Sequence, residues 1–300
     1  AFVLWLGEPG WRARLGGLLW LFSGLLAVFV PYLLFNLSIQ GSFLPNTFYA
    51  KQAEYALERQ VPLLVRLFNE LNLPLIGGGV FLFPGAIWFA WQAWRKKHWP
   101  ALAGLLWFLG YALLYALRLP VVYQYGRYFM PAMPVYFVLG LAGTVDLVNR
   151  FKHGRFTWVL TRVWLLSAAV VWLAFIVLGA GRYAQDVAII NTEMVAAARW
   201  VSANTPPGSL IAAHDIGALG YYGNRPLVDL AGLVSPEIIP FIRDEARIGA
   251  WLDELGVDYL VVFEGWYVSL PAGKAPVYHT NGIFSPLSGG TNMWVYDWRP

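Results

Sequence analysis

Gly16–Asn36 reads GGLLWLFSGLLAVFVPYLLFN, an unbroken apolar run without one charged side chain. At 1.5 Å per residue, a helix of about 20 residues covers about 30 Å, the thickness of a bilayer's hydrocarbon layer. Such a run predicts a membrane-spanning helix. Comparable runs occur near 75–94, 100–118, 131–149 and 163–181. The chain therefore reads as an all-α membrane bundle of about five spans over 1–181, followed by a small α/β domain over 182–300. One large soluble protein is the alternative. It would need five long, nearly uncharged segments as buried core helices.

Composition supports the division. The 300 residues are 58% hydrophobic and only 13% charged, against about 25% charged in ordinary soluble domains. Sixteen Trp, sixteen Tyr and nineteen Phe suit the aromatic belts found at bilayer surfaces. Of seventeen acidic residues, five lie in 1–181 (Glu8, Glu54, Glu58, Glu70 and Asp146) and twelve in 182–300. There is no cysteine, which excludes disulfides and thiol-ligated metal. The net charge of +4 is scattered through loops rather than gathered on one face, so nucleic acid is not an expected partner. Ala1–Leu6 (AFVLWL) lacks the basic start and cleavage site of a signal peptide. It reads as the tail of an earlier membrane helix, making the chain a C-terminal piece of a larger bundle.

Lys and Arg in the short connections set the expected orientation. Arg12, Arg14, Arg95, Lys96, Lys97, Arg150, Lys152, Arg155 and Arg162 fall on one side, taken as cytoplasmic. The opposite loops hold Lys51, Arg59, Arg66, Arg118 and Arg127. Residues 37–74, 119–130 and 182–300 are then extracytoplasmic. Within the first of these loops, Phe48–Leu71 has helical apolar spacing. It reads either as an amphipathic helix in the interface or as a solvated helix packed on the bundle.

Beyond Gly181 the pattern changes. Asn191–Asn204 reads as a helix stopped by Pro206-Pro207-Gly208. Ser209–Ala213 and Pro226–Leu230 read as strands, with a helical turn at Ile216–Gly223 between them. Pro236–Leu255 reads as a helix ended by Gly256. Val257–Phe263 (VDYLVVF) is a continuous apolar strand of the kind buried on both faces. Met293–Trp298 lies in a region expected to add an antiparallel strand or two. Alternating strands and helices predict an α/β domain.

Two extracytoplasmic loops concentrate polar chemistry. Ser42–Lys51 (SFLPNTFYAK) supplies Asn46, Thr47, Tyr49 and Lys51. Tyr123–Tyr128 (YQYGRY) supplies Tyr125, Arg127 and Tyr128. Lys51 and Arg127 on one side of a bilayer suit an anionic lipid headgroup, with the amide and phenols as pocket walls. Snorkelling cations and an interfacial tyrosine belt are the plainer readings. In the soluble part, His214-Asp215 follows a strand, where open α/β sheets bind ligands, and Asp229 ends the next strand on the same edge. Asp215 reads equally as a helix N-cap, and Asp229 as a strand-end turn. His98 and His153 sit among basic residues as solvated positions. The four histidines lack metal-ligand spacing, and no nucleotide-binding or serine-hydrolase motif occurs.

The Leu-Pro-Asn-Thr-x-Tyr-x-Lys loop at 44–51, the Arg-Tyr-x-x-Pro step at 127–131 and His-Asp-Ile-Gly-Ala-Leu-Gly-Tyr-Tyr at 214–222 together carry a resemblance. The chain resembles the C-terminal half of a C-type (GT-C) glycosyltransferase, a group that includes aminoarabinose transferases, protein O-mannosyltransferases and mycobacterial arabinofuranosyltransferases. The resemblance implies transfer of a sugar, with inversion, from a polyprenyl-phosphate donor to a glycan, lipid or protein acceptor outside a prokaryotic cytoplasmic membrane. It implies that Lys51 and Arg127 hold the donor phosphate, with Asn46 and Tyr49 shaping the pocket. It also implies a catalytic carboxylate in a first extracytoplasmic loop upstream of Ala1, so this stretch alone is expected to be inactive. No metal is assigned. An envelope-polymer ligase using a lipid-linked donor and a non-catalytic receptor with a soluble ligand-binding domain are the rival readings.

Overall fold

The structure, a computed structural model, describes residues 10–151 and 154–299. The stub Ala1–Leu6 and the basic positions Lys152 and His153 lie outside the described residues. The chain divides into two compact units. One holds residues up to Ile39 with Tyr55–Leu178, and the other holds Gln40–Glu54 with Gly179–Pro300. Sequence patterning assigned 40–54 to the helical part. Its packing partners lie instead in the α/β part.

The first unit is helical. Among the described residues, Trp11–Gln40, Trp99–Arg118 and the continuous helical stretch Arg155–Asn204 are long and apolar enough to cross a membrane, and a bent pair, Leu63–Leu75 with Gly77–Arg95, adds a fourth if it is one span. The first and last of these bury none of their most apolar window. The 75–94 run starts at a bend: Leu63–Leu75 and Gly77–Arg95 meet at 94° across Ile76, beside Gly77, whose φ of +66° disfavours any side chain. A Cβ on Gly78 would lie 1.6 Å from the Trp172 ring nitrogen. The 131–149 run forms the helix Met133–Phe151, whose final turns include Asp146, Asn149 and Arg150 and which is not among those apolar enough to span.

Helices Phe83–Arg95 and Met133–Phe151 pack backbone to backbone. A Cβ on Gly85 would meet Thr144 Oγ1 at 2.2 Å, and one on Gly143 would meet the Gly85 carbonyl at 1.9 Å. Small residues at such crossings are how membrane helices come close. Asp146 closes the same seam, accepting from Trp88 Nε1 at 2.6 Å, from Arg150 Nε at 3.0 Å and from Gln92. His98, expected to be merely solvated, caps the next helix by accepting from the Ala101 amide at 3.3 Å.

Phe48–Leu71 is not a single helix either. It forms Asn46–Glu54, a 3-10 turn Ala56–Gln60 and Leu63–Asn72. Val61 is extended, with ψ 137°, because Pro62 disfavours the helical region for its predecessor.

The second unit is a five-stranded mixed sheet. Its strands are β1 (Ile211–Ala213), β2 (Leu227–Asp229), β3 (Tyr259–Phe263), β4 (Ala275–His279) and β5 (Met293–Asp297), in the order β2-β1-β3-β5-β4. The strands β2, β1 and β3 are parallel, while β5 and β4 run antiparallel. Period-two alternation places Ala212, Leu260 and Val262 on one face against Ile248 and Leu252. Ile211, Ala213, Val261 and Val295 face the other way, against Ala197, Ala198 and Val201. Every residue of β3 is buried, as its uninterrupted apolar sequence requires.

Two helix boundaries differ from expectation. The helix expected to end at 181 continues as Arg155–Ile190 into a π-turn, Asn191–Val195, and then Ala196–Asn204. The π-turn carries Glu193, fully buried, which accepts from Asn292 Nδ2 at 2.9 Å, from the Met293 amide at 3.0 Å and from Thr280 Oγ1. Pro236–Leu255 breaks into a 3-10 segment, Pro236–Phe241, and a helix, Glu245–Leu255. Asp244 caps the latter by accepting from the Arg247 amide at 3.1 Å.

Candidate functional site

The carboxyl ends of the three parallel strands meet at one edge of the sheet, where open α/β sheets place ligands. The register aligns Ala213 of β1 with Asp229 of β2 and with Val261 of β3. His214 and Asp215 therefore leave β1 beside the segments that leave β2 and β3. The loop after β3 brings Trp266 and Tyr267. It is pinned by Glu245, whose carboxylate accepts from the Val268, Ser269 and Leu270 amides at 3.0, 2.6 and 2.7 Å.

The helix Asn46–Glu54 completes the site. Pro45 precedes it, suited by its fixed φ to a helix start, and the Asn46 amide donates to Gln40 Oε1 at 2.8 Å. Ala50 is fully buried, and the helix packs on Pro236–Phe241. Asn46 Nδ2 reaches the Leu233 carbonyl at 3.5 Å. This packing turns Lys51 and Glu54, one turn apart, into the sheet edge. Lys51 Nζ lies 2.7 Å from Glu54 Oε2, and His214 Nε2 lies 3.6 Å from Glu54 Oε1. His214 Nδ1 is 2.9 Å from the Tyr267 hydroxyl, and the Trp266 ring stands edge-on to the imidazole at 5.1 Å.

Charge is distributed unevenly over this cluster. Burial works to raise the Glu54 carboxyl, but bonds from His214 and Lys51 with their positive charge outweigh it and hold the group at about 2. Glu54 is thus a fixed anion between two nitrogen bases. Burial, aided by the surrounding carboxylates, pushes the Tyr267 phenol above its ordinary value. Burial also drives the Asp215 carboxyl above the usual range. His214 and Lys51 oppose that rise, while Glu54 and Asp229 add to it.

Asp215 occupies the N-cap position of Ile216–Ala218 but makes no capping hydrogen bond. Its Oδ2 is buried without a partner. Capping, one of its two sequence readings, is not what its side chain does. Asp229 behaves oppositely. It is fully buried, and its carboxylate accepts from the amides of Ala231 at 2.8 Å, Leu233 at 2.5 Å and Val234 at 2.9 Å. That makes it the clamp of the loop on which Asn46 rests.

Thr47 and Tyr49 are exposed, Tyr49 packing edge-on against Phe48. Asn46 serves the loop contact. Arg127, Tyr125 and Tyr128 belong to the other unit. There Arg127 is exposed, donates to the Tyr128 hydroxyl at 2.9 Å and lies over that ring. Sequence reasoning missed Glu54 and Tyr267. The i,i+3 spacing of Lys51 and Glu54 was a usable signal for the first. For Tyr267, the signal was its place just after the third parallel strand. Among the described residues no group of three or more His, Asp or Glu is arranged to hold a metal ion.

Residues 181–296 match a family described as a domain of unknown function, DUF8728. The match takes in His214, Asp215, Asp229 and Tyr267 and leaves out the Lys51–Glu54 helix. No curated protein and no solved structure matches the chain.

Proposed function

We propose that this chain is part of an integral membrane glycosyltransferase that moves a sugar from a polyprenyl-phosphate donor to a glycan, lipid or protein acceptor on the outer side of a prokaryotic cytoplasmic membrane. The observation that carries the reading is the Lys51–Glu54–His214–Asp215 cluster at the strand ends, on a segment that directly follows the apolar helix Trp11–Gln40. The unburied apolar helices support a bilayer setting, and the Lys and Arg distribution supports an extracytoplasmic α/β domain.

The chemistry asked of the site is modest. A polyprenyl phosphate leaves with growing negative charge, and a positioned ammonium stabilises that charge most at the transition state. Lys51, held in place by Glu54, supplies it. Trp266, half exposed at the rim, offers an aromatic face to the sugar.

The test uses the full-length protein in membrane vesicles with radiolabelled polyprenyl-phosphate mannose, arabinose, aminoarabinose and glucose. The readouts are free polyprenyl phosphate and label in acceptor material. At least one donor is expected to turn over, and Lys51→Ala to slow it by about 100-fold, equivalent to about 3 kcal/mol. No turnover of any donor, or unchanged turnover in Lys51→Ala, overturns the proposal.

A further inference from the structure

Helix Arg155–Ile190 supplies a scale of depth. Its stretch Val163–Gly181 holds no charged side chain and is about 29 Å long as a helix, the thickness of a hydrocarbon layer. Arg182 and an exposed Tyr183 follow it, residue types suited to a bilayer surface. The helix continues past them into the π-turn that carries Glu193. Glu193 grips both arms of the loop that joins β4 to β5. Its carboxylate accepts from Thr280 Oγ1 on one arm, and from Asn292 Nδ2 at 2.9 Å and the Met293 amide at 3.0 Å on the other. Asn292 Nδ2 also donates to the Gly282 carbonyl at 2.9 Å, closing the neck. From that neck the loop runs back along the helix, where Gln185 Nε2 donates to Ser288 Oγ at 2.7 Å. The two contacts are about 12 Å apart along the helix, and Gln185 stands only about 5 Å beyond Arg182.

The far end of this loop is apolar and uncovered. Phe284–Leu287 forms one helical turn, with the Leu287 amide donating to the Ile283 carbonyl at 3.2 Å, which sets Ile283 and Leu287 on one side of it. Ser285, between them in sequence, is buried and donates to the Thr291 carbonyl at 2.7 Å, so the turn is held from within the domain. Ile283 is 63% exposed and Leu287 75%. Leu287 adjoins Ser288, and Ser288 is fixed at a level of the helix that falls in the headgroup layer, which extends about 5–8 Å beyond the hydrocarbon. We propose that the Ile283–Leu287 turn enters the bilayer surface as a lipid anchor, Leu287 leading, and holds the α/β domain to the membrane at a second point beside the span. The anchor rests on the bilayer setting of the reading above and not on sugar transfer.

The chain has no cysteine, so single cysteines in a cysteine-free full-length protein can carry an environment-sensitive fluorophore. The protein is reconstituted into vesicles of phosphatidylcholine and phosphatidylglycerol. Leu287→Cys is the test and Tyr183→Cys marks the bilayer surface. Ala203→Cys, exposed and about 32 Å beyond Arg182 on the same helical stretch, is the water control. The label at 287 is expected to emit at shorter wavelength than that at 203, and to lose emission to headgroup-level lipid nitroxides as the label at 183 does. Emission at 287 that matches 203 and ignores lipid nitroxides overturns the proposal. Shifted emission that no lipid nitroxide quenches means that protein covers the turn, and also overturns it. Without a dye to drive insertion, a membrane-impermeant maleimide is expected to react at least about tenfold more slowly at 287 than at 203, the protection that burial of Ile283 alone supports. Equal rates overturn the anchor. A label at 183 that lipid nitroxides fail to quench defeats the bilayer setting itself, whereas absent sugar transfer leaves every one of these readouts unchanged.

Discussion

Asp229→Asn separates a structural carboxylate from a chemical one. The buried carboxylate accepts three amide hydrogens, one on Oδ1 and two on Oδ2. The amide that replaces it keeps a single acceptor oxygen. Placed on the Oδ2 side, that oxygen retains the Leu233 and Val234 donors and turns an NH₂ group toward the Ala231 N–H. Hydrogen bonds to a charged group are worth about 1.5–3 kcal/mol each, neutral ones about 1 kcal/mol. One lost bond and two weakened ones together cost about 3 kcal/mol. For a chain of this size that lowers the melting temperature by roughly 5 °C. Thermal unfolding in detergent measures it, and hydrogen exchange over residues 230–235 locates it. Turnover of the folded variant is expected to fall only modestly, through looser support of Asn46 and hence of Lys51. An Asn variant that melts like the wild type yet loses transfer would falsify the clamp argument and move Asp229 into the chemistry.

Glu54→Gln tests the charged bridge through pH. The carboxyl falls from 4.5 to about 2 in the folded chain, a difference equivalent to about 3 kcal/mol if fully shielded. Solvent screening reduces this to about 1–2 kcal/mol. Because the folded value is the lower one, that stabilisation is complete above about pH 4.5 and fades as pH falls toward 2. The melting gap between wild type and Glu54→Gln is expected to narrow between pH 7 and about 3.5, and a pH-independent gap contradicts the bridge. Two glycine substitutions test the helix seam with opposite signs. Gly85→Ala drives a methyl into Thr144 and is expected to cost about 2–3 kcal/mol. Gly110→Ala, which meets nothing within 4 Å, is expected to gain about 0.5–1 kcal/mol from helix propensity. Equal melting shifts for the two count against the close approach.

Patterns that repeat within one element were legible in the chain. The apolar run at 16–36 became the helix Trp11–Gln40, and VDYLVVF became β3, buried on both faces. His214 and Asp215 could be placed at a strand end because strand termini follow from local signals. Breaks set by special backbone were harder to see. The bend at Ile76, just before Gly77, and the extended Val61 before Pro62 each interrupt an apolar period that continues past them. Tertiary packing alone decided that residues 40–54 join the sheet. Nothing in the composition of Asn46–Glu54 distinguishes a partner in the bundle from one at the strand ends. Burial of Ala50 and the loop clamped by Asp229 make that choice, and with it set Glu54 between Lys51 and His214. Periodicity records which face of an element is apolar. Which distant residues meet across that face depends on how the elements pack, and the opposite behaviour of Asp215 and Asp229 follows from that packing.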